Sequence, residues 1–235
     1  MDIPKAQINI LGTSHIAQHS ARQIERAFGS FQPDIVAVEL DKRRLQSLQE
    51  QATGAKDQRI PLSMIKQVGV TGFIFIIIGR AVQKKLGSIM KVDPGIDMLA
   101  AVNLAHRHAK PLHVVDQDIL ITMRHLSNQF SLKEKMRVVW DLISSPFSKE
   151  MKKIKIRLDR VPDSKTIETL MMLMRKRYPS LYNVLIVERN VVMARNLDAI
   201  VRKNPGKKIL LVIGAGHEDD LRERLELMSN IAEVS

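Results

Sequence analysis

Two turns of identical spacing hold the residues best suited to chemistry: Gly12-Thr13-Ser14-His15 and Gly214-Ala215-Gly216-His217. Each follows a short apolar run. A glycine lets the chain leave a strand sharply, and three residues later an imidazole can turn back over the strand end. Neutral imidazole ligates divalent metals and titrates near neutrality, so such a pair suits either metal activation of water or general-base catalysis. Acidic residues follow two further apolar runs: Glu39 and Asp41 after one, Asp116 and Asp118 after the other. Glu39 can complete a metal site with His15 and His217, or it can hold a histidine in one tautomer. Glu188-Arg189-Asn190 interrupts the apolar stretch 184–187 ahead of the last strand. The planar, permanently charged fork of Arg189 serves either a structural ion pair or the binding of a carboxylate or developing oxyanion.

These groups converge only if the apolar runs form one parallel sheet. Residues 7–11, 35–40, 112–115 and 209–213 are near-continuously apolar and mostly β-branched, the pattern of strands covered on both faces. In such a sheet ligands bind beyond the carboxyl ends of the strands, where the two Gly-x-x-His turns, Glu39, Asp41, Asp116 and Asp118 fall. Helical patterns lie between the runs. Ser20 and Gln23 have capping-box spacing, with Ile24, Ala27 and Phe28 as the buried stripe behind them. Asp41 is placed to cap the helix after the second strand. Asp93-Pro94 reads as an N-cap followed by a first-turn proline, ahead of a face made of Met98, Ala101, Val102 and Ala105. Residues 181–202 read as one amphipathic helix leading to the turn Asn204-Pro205-Gly206. The expected fold is thus a single α/β domain spanning 1–235, with a mainly parallel central sheet flanked by helices. A basic all-helical insertion at about 131–179, divided by prolines, precedes the last helix and strand.

The chain's 235 residues are 45% hydrophobic and 26% charged, which suits one packed core rather than a disordered chain. With no cysteine there is no disulfide framework, thiolate zinc site or cysteine nucleophile, so any metal must rest on His, Asp or Glu. The N-terminus lacks the regions of a signal peptide, so a cytoplasmic location is expected, with membrane association as the alternative if the chain is an excised domain of a longer protein. The apolar stretch 70–78 is interrupted by Gly72 and closed by Gly79-Arg80, too short to cross a bilayer, and reads as a buried or interfacial helix. Net charge is +12, and residues 131–180 hold 13 basic against 6 acidic residues. A surface of that kind attracts phosphates, nucleic acid or anionic lipid headgroups, while 4% aromatic residues disfavour base stacking. No Walker loop, Gly-x-Ser-x-Gly elbow or dinucleotide fingerprint is present.

The motifs together resemble the TraB/PrgY family. They are Leu11-Gly12-Thr13-Ser14-His15, residues 33–41 with Arg44 and Leu45, Pro94-Gly95-Ile96-Asp97-Met98, Val115-Asp116-Gln117-Asp118-Ile119 with Thr122 and Arg124, Glu188-Arg189-Asn190 with Met193-Ala194, and Gly214-Ala215-Gly216-His217. They occur in family order across nearly the whole chain. The sequence departs from the family pattern at Asp97, where Glu is usual, and at Gln117, where a basic residue is common. The wider group is similar to the Tiki metalloproteases, the erythromycin esterases and the haem-iron-binding ChaN proteins. The resemblance implies an active site of His15, Glu39, Arg189 and His217, with Asn190, Asp116, Asp118 and Arg124 as substrate contacts. It also implies a divalent ion on His15, Glu39 and His217, and a metal-dependent hydrolase, with peptide signals among its substrates. The rival expectation is a non-catalytic module that sequesters a peptide or small ligand. A third is an anionic-membrane or nucleic-acid binder working through the basic helical region. Homo-oligomerisation is left open.

Overall fold

The computed structural model describes residues 6–13, 17–53, 60–90, 95–144, 164–227 and 231–233. Contacts within the chain separate two units. One comprises Met1–Arg59, Asp93–Ile119 and Ile186–Ser235; the other comprises Ile60–Val92 and Leu120–Leu185.

The first unit is a parallel sheet in the order β3-β2-β4-β1-β5. Its strands are β1 (Ala6–Thr13), β2 (Ile35–Val38), β3 (Leu112–Val114), β4 (Lys208–Gly214) and β5 (Ile231–Glu233). Every pairing is parallel. Side chains alternate across β4, so Ile209, Leu211 and Ile213 join the core on one face while Leu210 and Val212 join the core on the other. Helices α9 (Glu188–Lys203) and α10 (Ala215–Leu227) cover the first face, through Met193, Leu197, Leu221 and Leu225. Helices α1 (Ala17–Phe31) and α4 (Ile96–Arg107) cover the second, through Ile24, Phe28, Val102 and Ala105. Helix α2 (Lys42–Ala52) begins where expected: the Asp41 carboxylate accepts from the amides of Arg43 at 2.8 Å and Arg44 at 3.0 Å. The Gly12 and Gly214 motifs leave neighbouring strands, since Thr13 pairs with Gly214.

Several local expectations are corrected. Ser20 does not cap α1, which starts at Ala17. Ser20 instead lies inside that helix, fully buried, with no hydrogen-bond partner for its hydroxyl. The N-cap of α4 is Gly95, at φ +89°, while Asp93 and Pro94 lie outside the described residues. β5 was not anticipated from the sequence, because a three-residue Ile-Ala-Glu segment carries little pattern.

The second unit is helical: α3 (Ile65–Met90), most of α5 (Ile119–Gln129), α6 (Leu132–Ser144), α7 (Ser164–Arg177) and the short α8 (Pro179–Tyr182). The basic stretch 131–179 belongs to this larger unit, and its residues 145–163 lie outside the described set. The core is built on Val68, Phe73, Met123, Leu126, Phe130 and Val184. A Ser131–Glu134 capping box opens α6, and the other Glu134 oxygen accepts from the amide of Ser180 at 2.9 Å. A π turn, Asn183–Val187, joins α8 to α9, so the expected single helix is continuous but not regular.

Helix α3 overturns the reading of 70–78 as a short segment, because Gly72 and Gly79 do not end it. Among the described residues, Leu62–Ala81 is the one helical stretch long and apolar enough to cross a membrane by length and composition. Gly69, at φ +74°, kinks its start. The Ser127 hydroxyl occupies the kink, accepting from the Gly72 amide at 2.6 Å and donating to the Val68 carbonyl at 2.5 Å. Gly72 is a contact point rather than a helix stop: a Cβ there would come within 2.4 Å of the Met123 carbonyl oxygen. Gly79 faces open space. Gly72→Ala is therefore expected to cost about 1–3 kcal/mol through overpacking. Gly79→Ala is expected to stabilise by about 0.5–1 kcal/mol through helix propensity. Urea unfolding of the two variants checks this, and equal effects would mean that α3 and α5 do not cross at Gly72.

Candidate functional site

Three strand ends and two helices place charged groups around one arginine. Arg189, at the start of α9, donates from Nε to Asp116 Oδ1 at 2.9 Å and from Nη2 to Asp116 Oδ2 at 2.7 Å. Asp116 lies just beyond β3, and its side chain is only 6% exposed. The same Nη2 donates to Oε1 of Glu39, just beyond β2. Glu39 Oε2 accepts from the backbone amide of Gly214, the last residue of β4, at 2.6 Å. One guanidinium thus spans two carboxylates from adjacent strands, while the central strand holds the far side of Glu39. The planar fork makes this possible, because its donors reach Asp116 in a bidentate pair and still serve a second acid. Burial works against the arginine's charge, but Asp116 and Glu39 outweigh it and hold the guanidinium above its ordinary value. Asn196 of α9 donates to the Val115 carbonyl at 2.8 Å and anchors the helix at the end of β3.

His217 completes the cluster from the first turn of α10. It is 5% exposed, and its Nε2 lies 3.1 Å from Arg189 Nη1 and 3.3 Å from Glu39 Oε1. Its Nδ1 lies 2.7 Å from Oδ1 of the fully buried Asn190. Asn190 in turn donates from Nδ2 to Asp220 Oδ2 at 2.6 Å, and Arg224 holds Asp220 through contacts of 2.7 and 3.2 Å. With its amide nitrogen committed to Asp220, Asn190 presents a carbonyl oxygen to the imidazole, so Nδ1 carries the proton. Nε2 is then the free lone pair, accepting from Arg189. Burial pushes the imidazole below its ordinary 6.5. Glu39, Asp116 and Asp220 pull it upward, Arg189 adds to the lowering, and the net direction is down. A neutral base aimed at a charged, nearly dry cluster is the result.

Of the residues singled out by sequence, Glu39, Asp116, Arg189, Asn190 and His217 come together. Asp118 stands nearby in an open cleft of about 420 Å³, lined also by Asp41, Lys42, His113, Asp116 and Asn196, and it accepts from Arg43 Nε at 3.0 Å. Because Asp116 both lines this cleft and binds Arg189, the cleft adjoins the cluster. Arg124 belongs to the second unit, where its Nε donates to the Gln67 carbonyl at 2.9 Å. His15 lies outside the described residues. The glycine at the head of the first motif has a different role from the sharp turn expected: a Cβ on Gly12 would fall 1.8 Å from Glu218 Oε2, so the missing side chain makes room for that carboxylate. Sequence reasoning missed Asp220 and Arg224, although their four-residue spacing on one helix was a usable signal. It also missed Asp97 as a connector: this buried carboxylate, at the start of α4, accepts from the Thr13 hydroxyl at 2.5 Å and so ties α4 to the end of β1.

The described donors fit a divalent ion in one respect. The 3.3 Å between His217 Nε2 and Glu39 Oε1 is about the edge of a tetrahedron with metal–ligand distances near 2 Å. They fail in another, because Arg189 bonds both atoms and places a fixed positive charge where the ion would sit. As arranged, the described residues do not fit an ion.

The depressed pKa of His217 has a consequence for stability. Above about pH 6.5 the imidazole is neutral in both the folded and the unfolded chain. As pH falls below that value, the unfolded chain takes up a proton that the folded chain refuses, so stability declines. Urea titrations across this window should show that decline in the wild type and a flatter profile in His217→Gln. Identical profiles would show that the folded chain protonates His217 as readily as the unfolded one.

Several curated proteins match this chain over nearly its whole length. An uncharacterized protein of Methanocaldococcus jannaschii is 29% identical over 231 residues, covering 97% of this chain and 55% of its own length. TraB domain-containing proteins of Bos taurus and Homo sapiens are 25% and 24% identical, each match covering 97% of this chain and 65% of the relative. The chain thus spans between about half and two thirds of the length of these relatives. The family model described as TraB/PrgY/gumN matches residues 3–219, which include Glu39, Asp116, Arg189, Asn190 and His217, and on that match the chain belongs to the TraB/PrgY/gumN family.

Proposed function

We propose that this chain is a hydrolase of ester or amide bonds in which His217 is the general base. The observation that supports this most is the 2.7 Å contact between His217 Nδ1 and Asn190, which fixes the tautomer and leaves Nε2 as an acceptor inside a buried, charged cluster. In the proposed reaction a water attacks the substrate carbonyl and gives its proton to Nε2. The imidazolium then returns that proton to the leaving oxygen or nitrogen as the bond to the acyl carbon breaks. Glu39 and Asp116 stabilise the transient imidazolium, and Arg189 Nη1, freed when Nε2 takes the proton, is positioned for the substrate oxyanion. The cleft beside Asp116 receives the substrate. Its acidic lining favours neutral or amine-bearing groups over anionic ones.

A second reading, a divalent-ion centre on Glu39 and His217, is favoured by their 3.3 Å separation and requires Arg189 to withdraw. The sequestering module is the third reading.

One experiment orders the three. Wild-type protein is incubated with panels of activated esters and of short peptides, products are read by mass spectrometry, and metal content is measured on the same sample. The expected result is cleavage that survives chelation and falls by about 10²–10⁴-fold in His217→Gln. Cleavage lost on chelation and restored by a divalent ion would replace this mechanism with the metal centre. Peptides recovered intact but retained by the protein would replace it with the sequestering module.

A further inference from the structure

Helix α6 of the second unit is amphipathic in the outward direction. Its inner side is fastened: Glu134 is buried against the Ser180 amide and Val138 packs on the unit's core. Leu132, Met136 and Trp140 recur every four residues and therefore form one stripe; they are 74%, 62% and 69% exposed. The exposed cations Lys133 and Arg137, themselves four residues apart, run along one edge of the stripe, and Lys135 lies on the other. An apolar stripe of this size is a poor match for water, and cations along both edges are a poor match for a second copy of the same face, which would bring like charges together. Both are a good match for a bilayer surface with acidic headgroups, where tryptophan is favoured at the boundary between headgroup and acyl chain. The same unit also turns Val70, Ile74 and Ile78 of α3 to solvent while Val68 and Phe73 hold that helix in the core. Apolar surface is thus a property of the unit, and a helix pinned along one face can lie on a membrane without crossing it.

We propose that the second unit docks on anionic phospholipid surfaces through the Leu132–Met136–Trp140 stripe of α6 and its flanking cations. This binding is independent of the chemistry at His217.

Trp140 is the only tryptophan in the chain, so its emission reports directly on the stripe. The full chain is mixed with vesicles of phosphatidylglycerol and phosphatidylcholine in equal parts, or of phosphatidylcholine alone. The expected result is a blue shift and co-sedimentation with the acidic vesicles, weakened by high salt and reduced about tenfold or more in Met136→Glu. Met136 is exposed, so that variant should keep the wild-type circular dichroism and melting curve, and these are recorded alongside. Absence of binding to acidic vesicles, equal binding to the neutral ones, or unchanged binding by a folded Met136→Glu variant would each overturn the proposal. So would a blue shift that grows with protein concentration in the absence of lipid and accompanies a dimer in sedimentation.

Discussion

The contact on which the site depends is the span of Arg189 between Asp116 and Glu39. Two carboxylates this well buried, on the ends of neighbouring strands, would repel one another and lose their hydration if nothing stood between them. Truncating one member of such a buried ionic group typically costs about 3–5 kcal/mol, because the charge left behind has no partner. The constraint reaches through the first unit. It requires β3, β2 and β4 to lie side by side, so that Asp116, Glu39 and the Gly214 amide converge. It requires α9 to meet the carboxyl ends of those strands, which the Asn196 contact to Val115 secures. It also sets the state of His217: the guanidinium adds to the lowering that burial begins, and its Nη1 leaves Nε2 with a role only as acceptor.

Much of this was legible in the residues. The four longer strands are runs of β-branched and aliphatic side chains, and a parallel sheet puts whatever follows them at one edge. That rule marks Glu39, Asp116 and His217, while Arg189 stands out as a charge after the apolar stretch 184–187 and through the family resemblance. The pairings among them were not legible, because they depend on strand order. With β4 inserted between β1 and β2, Glu39 is held by the Gly214 amide, a neighbour 175 positions away in sequence. In sequence Asn190 is only a neighbour of the arginine; its part in fixing the imidazole needs Asp220, one acid among several on α10. Glycine is ambiguous in sequence: Gly72 suggests a helix break and Gly12 a turn, and the structure shows each making room for a close neighbour, the Met123 carbonyl in one case and the Glu218 carboxylate in the other.

The two units divide the physical tasks. The first concentrates buried charge at the end of an apolar sheet. The second combines an apolar core with apolar stripes turned outward and a surplus of positive charge, a composition suited to surfaces rather than to chemistry. Membership in the TraB/PrgY/gumN family rests on the match across both units, 3–219, and the longer relatives continue beyond the portion they share with this chain.

The central claim is that the Arg189 cluster holds His217 neutral with its proton on Nδ1. Nitrogen-15 NMR of the imidazole tests it most directly, with the His217 signals assigned by their loss in His217→Gln. The account predicts, at pH 7, a protonated Nδ1 and an Nε2 whose shift is that of an unprotonated, hydrogen-bond-accepting nitrogen. An imidazolium at that pH, or a proton on Nε2 instead, would contradict it.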